Sequence, residues 1–117
     1  MKKTYQIISA TVPANSSKLF TEQLKSEYTN CTGIFIVKVS GNIEDLTVGM
    51  NIANQEVLPK ETDASILLFN GQYSVKQATY DFSADRLPAQ SNTTELTVTN
   101  KNAQPATVNV YYVLENF

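Results

Sequence analysis

The sequence predicts an all-β chain, a single antiparallel β-sandwich of jelly-roll-like type with about eight strands, spanning residues 1–117 as one domain. Three observations carry this expectation. Apolar and polar residues alternate with period two along almost the whole chain, the pattern of strands with one face on a core. Turn-forming residues interrupt the alternation at short intervals, and no long helical pattern lies between them. Finally, the phrase Val12-Pro13-Ala14-Asn15-Ser16-Ser17 returns as Leu87-Pro88-Ala89-Gln90-Ser91-Asn92, each time leading into a strand-like segment. In both, a proline without a ladder N–H ends an extended stretch and small polar residues turn the chain. The spacing exceeds the ~20–50 residues of a solenoid unit, so the two phrases mark similar corners of one sandwich.

Composition agrees with strands. The chain is 42% hydrophobic and 17% charged, against about one-quarter charged residues in an average soluble chain. Ser, Thr, Asn and Gln must therefore cover the surface. Thr and Tyr suit a half-exposed pleated sheet and Asn and Ser suit turns, whereas a helical chain would carry more Ala, Glu, Lys and Leu. A length of 117 residues holds one hydrophobic core and not two.

Taken in order, Tyr5 to Val12 reads as a first strand with Ile8, Ala10 and Val12 on one face and Tyr5 and Ile7 on the other. Leu19 to Leu24 fits either a short helix or a strand, and its echo with Leu96 favours the strand. Gly33 to Val39 is the most apolar stretch, with Ile34 and Ile36 opposed to Phe35, Val37 and Val39. That pattern fits a central strand covered on both faces. Ser40-Gly41-Asn42 turns it. Leu46, Val48, Met50 and Ile52 then alternate with Thr47, Gly49, Asn51 and Ala53, one face for the core and one for water or a partner. Val57-Leu58-Pro59 ends a short segment, and Lys60-Glu61-Thr62-Asp63 reads as a charged loop. Ser65 to Phe69 is stopped by Asn70-Gly71, a strong hairpin signal, and Tyr73 to Phe82 returns. Thr94 to Thr99 and Ala106 to Leu114 are expected to form a final hairpin joined by residues 100–105. In its last strand Val108, Val110, Tyr112 and Leu114 oppose Thr107, Asn109, Tyr111 and Val113. A true immunoglobulin domain would carry a tryptophan and a cysteine pair. This chain has no tryptophan and one cysteine.

Chemistry is narrowed by exclusion. The chain has no histidine, which removes the usual general base, the Ser-His-Asp and Cys-His arrangements and the commonest zinc ligand. The carboxylate groups Glu44 with Asp45, Glu61 with Asp63, and Asp81 with Asp85 read as solvated turn residues rather than a glycosidase pair. Glu61-Thr62-Asp63 offers too few oxygens for calcium. Four isolated glycines cannot build a phosphate loop. No enzyme activity, cofactor or metal is expected. Cys31 has no partner for an internal disulfide and reads as an inert buried thiol before an apolar run. The net charge of −2 and scattered basic residues give no cationic face for nucleic acid. Ile7-Ile8 is interrupted by Ser9 and Pro13, short of the ~7–15 apolar residues of an export signal. No stretch approaches a membrane span. Without export, triplets such as Asn15-Ser16-Ser17 carry no meaning as glycosylation acceptors.

Six tyrosines and five phenylalanines invite two functional readings. Tyr73, Tyr80 and Tyr111 could stack on sugar rings, although core packing is the ordinary role of such side chains. Tyr111 and Tyr112 are adjacent on one strand and must point to opposite faces. An exposed stripe of Tyr111, Val113 and Phe117 would mark a subunit interface, so these three are the candidate interface residues.

The two Pro-Ala-x-Ser phrases, each followed by an alternating strand, and the closing run Thr107-Val108-Asn109-Val110-Tyr111-Tyr112-Val113-Leu114 resemble small single-β-sandwich virion proteins of bacteriophages, of minor capsid, penton and decoration type. The resemblance covers Val12 to Leu19, Leu87 to Asn100 and Ala106 to Phe117. It implies a structural virion protein, made in the host cytoplasm. Such a protein would assemble with itself as a cyclic trimer or pentamer and with other capsid proteins. The alternative from another class is a carbohydrate- or ligand-binding β-sandwich module.

Overall fold

The computed structural model describes residues 3–25, 27–41, 43–53, 55–64, 80–81, 87–88 and 92–116. They form an all-β sandwich. Its strands are β1 (Lys3–Val12), β2 (Ser16–Gln23), β3 (Asn30–Ser40), β4 (Leu46–Ile52), β5 (Gln55–Asp63), β6 (Tyr80–Asp81), β7 (Leu87–Pro88), β8 (Thr93–Asn100) and β9 (Ala106–Glu115). The front sheet has the order β1-β9-β3-β6, with β7 also on β3, and the back sheet the order β2-β8-β4-β5. Every pairing among the described residues is antiparallel. Because β9 occupies one edge of β3, the two short segments β6 and β7 share its other edge and fill one strand position. The described strands then nest around the β4–β5 turn: β1 with β9, β2 with β8, β3 with β6 and β7, β4 with β5. That nested pairing, with its halves in two facing sheets, makes the β-sandwich jelly-roll-like.

The core lies between the sheets and is built by alternation. From the front come Ile8, Ala10 and Val12, then Ile34 and Ile36, then Val108, Val110, Tyr112 and Leu114. Leu46, Val48, Met50, Ile52, Leu58, Leu96 and Val98 meet them from the back. Each fully buried aliphatic side chain contributes about 1.5–3 kcal/mol of transfer free energy. Cys31 is free and fully buried, and burial pushes its thiol up to about 12. Tyr112 is also fully buried. Thr94 Oγ1 shares its hydrogen between the Tyr112 hydroxyl at 3.1 Å and the Asn51 carbonyl at 3.3 Å, and burial raises the phenol well above its ordinary value.

Two expectations are corrected. Residues 60–63 are not a loop, for β5 continues to Asp63, with Thr62 opposite Val48 and Leu58 opposite Met50. Three residues on β5 therefore face one on β4, and Thr62 Oγ1 donates to the Pro59 carbonyl across the bulge at 2.7 Å. Among the described residues β5 has a strand neighbour on one side only, and a proline at a bulge facing away from that neighbour forfeits no ladder bond, so it does not end the strand. The final hairpin is also overturned: β8 and β9 lie in different sheets. The loop between them crosses the sandwich, and the buried Asn100 secures the crossing. Its Nδ2 donates to the carbonyls of Val12, Pro13 and Gln104 at 3.3, 3.4 and 2.9 Å, while its Oδ1 accepts from the Asn102 N–H at 2.9 Å. The Val12 carbonyl, buried among them, would cost about 1–3 kcal/mol if left unpaired.

The β3–β4 connection also crosses between sheets. Gly41 there has φ +88°, and a Cβ would stand 2.7 Å from the Ala106 Cα and 2.8 Å from the Pro105 carbonyl. Only glycine fits both the backbone angle and the space. The first Pro-Ala phrase is the β1–β2 corner, with Asn15 at φ 51° and its N–H on the Asn102 carbonyl at 3.0 Å. Leu87–Pro88 likewise precedes a passage from front to back sheet. The expected strand Ser65 to Phe69, its Asn70-Gly71 turn and most of Tyr73 to Phe82 lie outside the described residues.

Candidate functional site

Side chains that do not point into the core form two outer faces. On the front sheet, Ile7 lies opposite Tyr111 and Tyr111 opposite Phe35, while Tyr5 lies opposite Val113. Phe35 and Tyr111 stack with ring centres 4.7 Å apart and planes 8° from parallel. Tyr5 sets its edge against both, at 5.9 Å from Phe35 and 6.4 Å from Tyr111. Such ring pairs are worth about 0.5–1.5 kcal/mol beyond their burial. The face turns polar toward the β1–β2 corner, where the hydroxyls of Thr11 and Thr107 lie 3.1 Å apart.

Of the three candidate interface residues, two are among those described. Tyr111 is half-buried under its neighbours, Val113 is only 3% exposed, and Phe117 lies outside the described residues. The apolar surface this face offers comes instead from β1, where Ile7 is 50% exposed and Tyr5 stands beside it. Alternation places Tyr5 and Ile7 on the second face of their strand. What it does not supply is that β9 lies alongside β1, which brings Tyr5 and Tyr111 together.

The back sheet is different. Its outer rows run Ser17, Thr99, Thr47, Asp63, then Leu19, Thr97, Gly49, then Thr21, Glu95, Asn51, Glu56. Ser17 and Thr99 exchange a hydroxyl hydrogen bond at 2.9 Å. The Thr47 Oγ1 beside them is buried with no hydrogen-bond partner among the described residues. Gly49 contributes no side chain to the middle of this face, and a groove of about 280 Å³ opens there, lined by Leu19, Gly49, Asn51, Glu56, Glu95 and Thr97 among others. Glu56 and Glu95 flank Asn51 on one row. Neither carboxylate has a hydrogen-bond or ion-pair partner among the described residues.

Among the described residues, none of the acidic groups that stand out in the sequence lines this groove. Asp45 is engaged at the sandwich end, where its backbone carbonyl accepts from the Lys101 N–H at 3.0 Å and its carboxylate from Asn102 Nδ2. Asp63 lies at the end of β5, and the Asp81 side chain and Asp85 lie outside the described residues. No group of three metal-binding side chains occurs among the described residues. Among those residues no helix is long and apolar enough to cross a membrane. No protein-family model and no curated protein matches this chain.

Proposed function

We propose that this chain is a structural virion protein of a bacteriophage, a minor capsid, penton or decoration subunit that works by protein–protein assembly. The observation that supports it best is the front face, where an aromatic cluster of Tyr5, Phe35 and Tyr111 continues into the exposed Ile7 on β1. Rigid aromatic rings beside an exposed aliphatic residue make the apolar centre of an association surface. β1 also has a strand neighbour on one side only among the described residues, so its other edge retains main-chain groups for pairing. The partners are further copies of the chain, in a closed trimer or pentamer, and other capsid proteins. The rival reading, a carbohydrate-binding module, needs rings on which sugars stack. Among the described residues the back-sheet groove has no aromatic lining.

Light scattering on a sizing column across a concentration range tests this reading. A discrete trimer or pentamer whose assembly is weakened by Ile7→Asp, with an unchanged melting temperature, is the expected result. A strict monomer at every concentration, alone and with capsid extract, would overturn it.

A further inference from the structure

We propose that the back-sheet groove is the socket of a head-to-tail contact between copies of this chain, and that it receives Lys38 and Val39 of the neighbouring copy. This rests on the self-assembly reading and adds a second surface to it. A ring cannot close through one self-complementary patch, which yields a two-fold pair; it needs two different surfaces that fit each other.

The groove states the chemistry of its occupant. Leu19, 56% exposed, gives an apolar wall, and the absent side chain of Gly49 gives depth. Glu56 and Glu95 stand two strands apart, roughly 10 Å between backbones, with Asn51 between them. Both carboxylates are without a partner among the described residues. Two such anions beside an apolar wall are complementary to a cation on an aliphatic stem, whose methylenes cover the leucine while its head reaches the carboxylates. At about 280 Å³ the groove falls just below the ~300–1,000 Å³ of ligand pockets, a size for side chains rather than a large cofactor.

Among the described residues, one element presents that combination. At the end of β3, Lys38 pairs with Val108 and Ser40 with Thr107, so Val39 is the extra residue of a bulge. Val39 is 55% exposed, and Lys38 beside it is exposed too. Bulges of this kind re-aim a side chain away from the ladder. Lys18, which also stands next to an exposed large apolar residue, is held over the Phe20 ring at 5.5 Å. Lys38 and Val39 belong to the front sheet and the groove to the outer side of the back sheet. The contact is therefore drawn between molecules, each offering its bulge to the socket of the next.

Charge reversal tests the pairing. The variants are Lys38→Glu, the double variant Glu56→Lys with Glu95→Lys, and all three changes together, with Lys38→Gln and Glu95→Gln as milder forms. Oligomerisation is followed by light scattering at low and high salt, and folding by thermal melts. Each reversal is expected to raise the concentration for half-assembly by roughly tenfold or more, the neutral forms by less, and the combined swap to recover most of the loss. Assembly of the unaltered chain weakens with salt. Oligomers that form equally well in every variant would overturn the socket while leaving self-assembly standing. Reversals that weaken assembly without rescue by the swap would overturn the Lys38 pairing. An unaltered chain that stays monomeric would remove both this contact and the assembly reading beneath it.

Discussion

The front and back sheets share one core and differ on their outer faces. In front, the central strands β3 and β9 carry apolar residues on both sides, and Phe35 is 4% exposed although it points away from the core. On the back sheet, the central strands β4 and β8 place Thr47, Gly49 and Asn51, and Glu95, Thr97 and Thr99, on the outer side. The same alternation produces both faces. The contents of the outward positions decide whether a face is a second packed layer or a polar surface with a groove.

Three substitutions test this contrast. The largest effect is expected at Phe35→Ala, which removes a ring stacked on Tyr111 and edged by Tyr5. It should cost about 3 kcal/mol in urea unfolding, the loss typical of a core phenylalanine. A cost below about 1 kcal/mol would mean that the front face is packed no more tightly than an ordinary surface. The next effect has the opposite sign. Thr47→Val removes the unpartnered hydroxyl from the back face while keeping the β-branched shape, and should stabilise the fold by about 1 kcal/mol. A loss of stability would show that the hydroxyl has a partner in solution. The smallest is Leu19→Ala. With that side chain largely open to solvent, the change should shift stability by less than about 0.5 kcal/mol. A larger loss in the monomer would show that the groove wall is part of the core.

The faces of the strands are legible in the sequence. Alternation assigns Ile8, Ala10 and Val12 to one side of β1 and Val108, Val110, Tyr112 and Leu114 to one side of β9, and all seven lie in the core. Cys31, before an apolar run, is the buried thiol that its position implies. The extent of β5 is not legible, because a proline ordinarily stops a strand. With a bulge to absorb it and no strand on its other side among the described residues, Pro59 does not. The outward side of Tyr111 is legible and its packing is not. Tyr111 does lie on the outer face, but its burial under Phe35 and Tyr5 depends on neighbours from β1 and β3 that are far away in sequence.

Alternation, turn residues and composition are sufficient for an all-β chain, the positions of most strands and the inward side of each. These are local properties, set by the free energy of hiding every second side chain from water. Other features exist only once the chain has folded: which strands are neighbours, the crossing of the sandwich between β8 and β9 through Asn100, and the meeting of Leu19, Glu56 and Glu95 from three strands at one groove. A strand that packs across the core and one that pairs alongside show the same period-two pattern. Only backbone hydrogen bonds between distant segments, and the polar corners that direct the chain to them, distinguish the two.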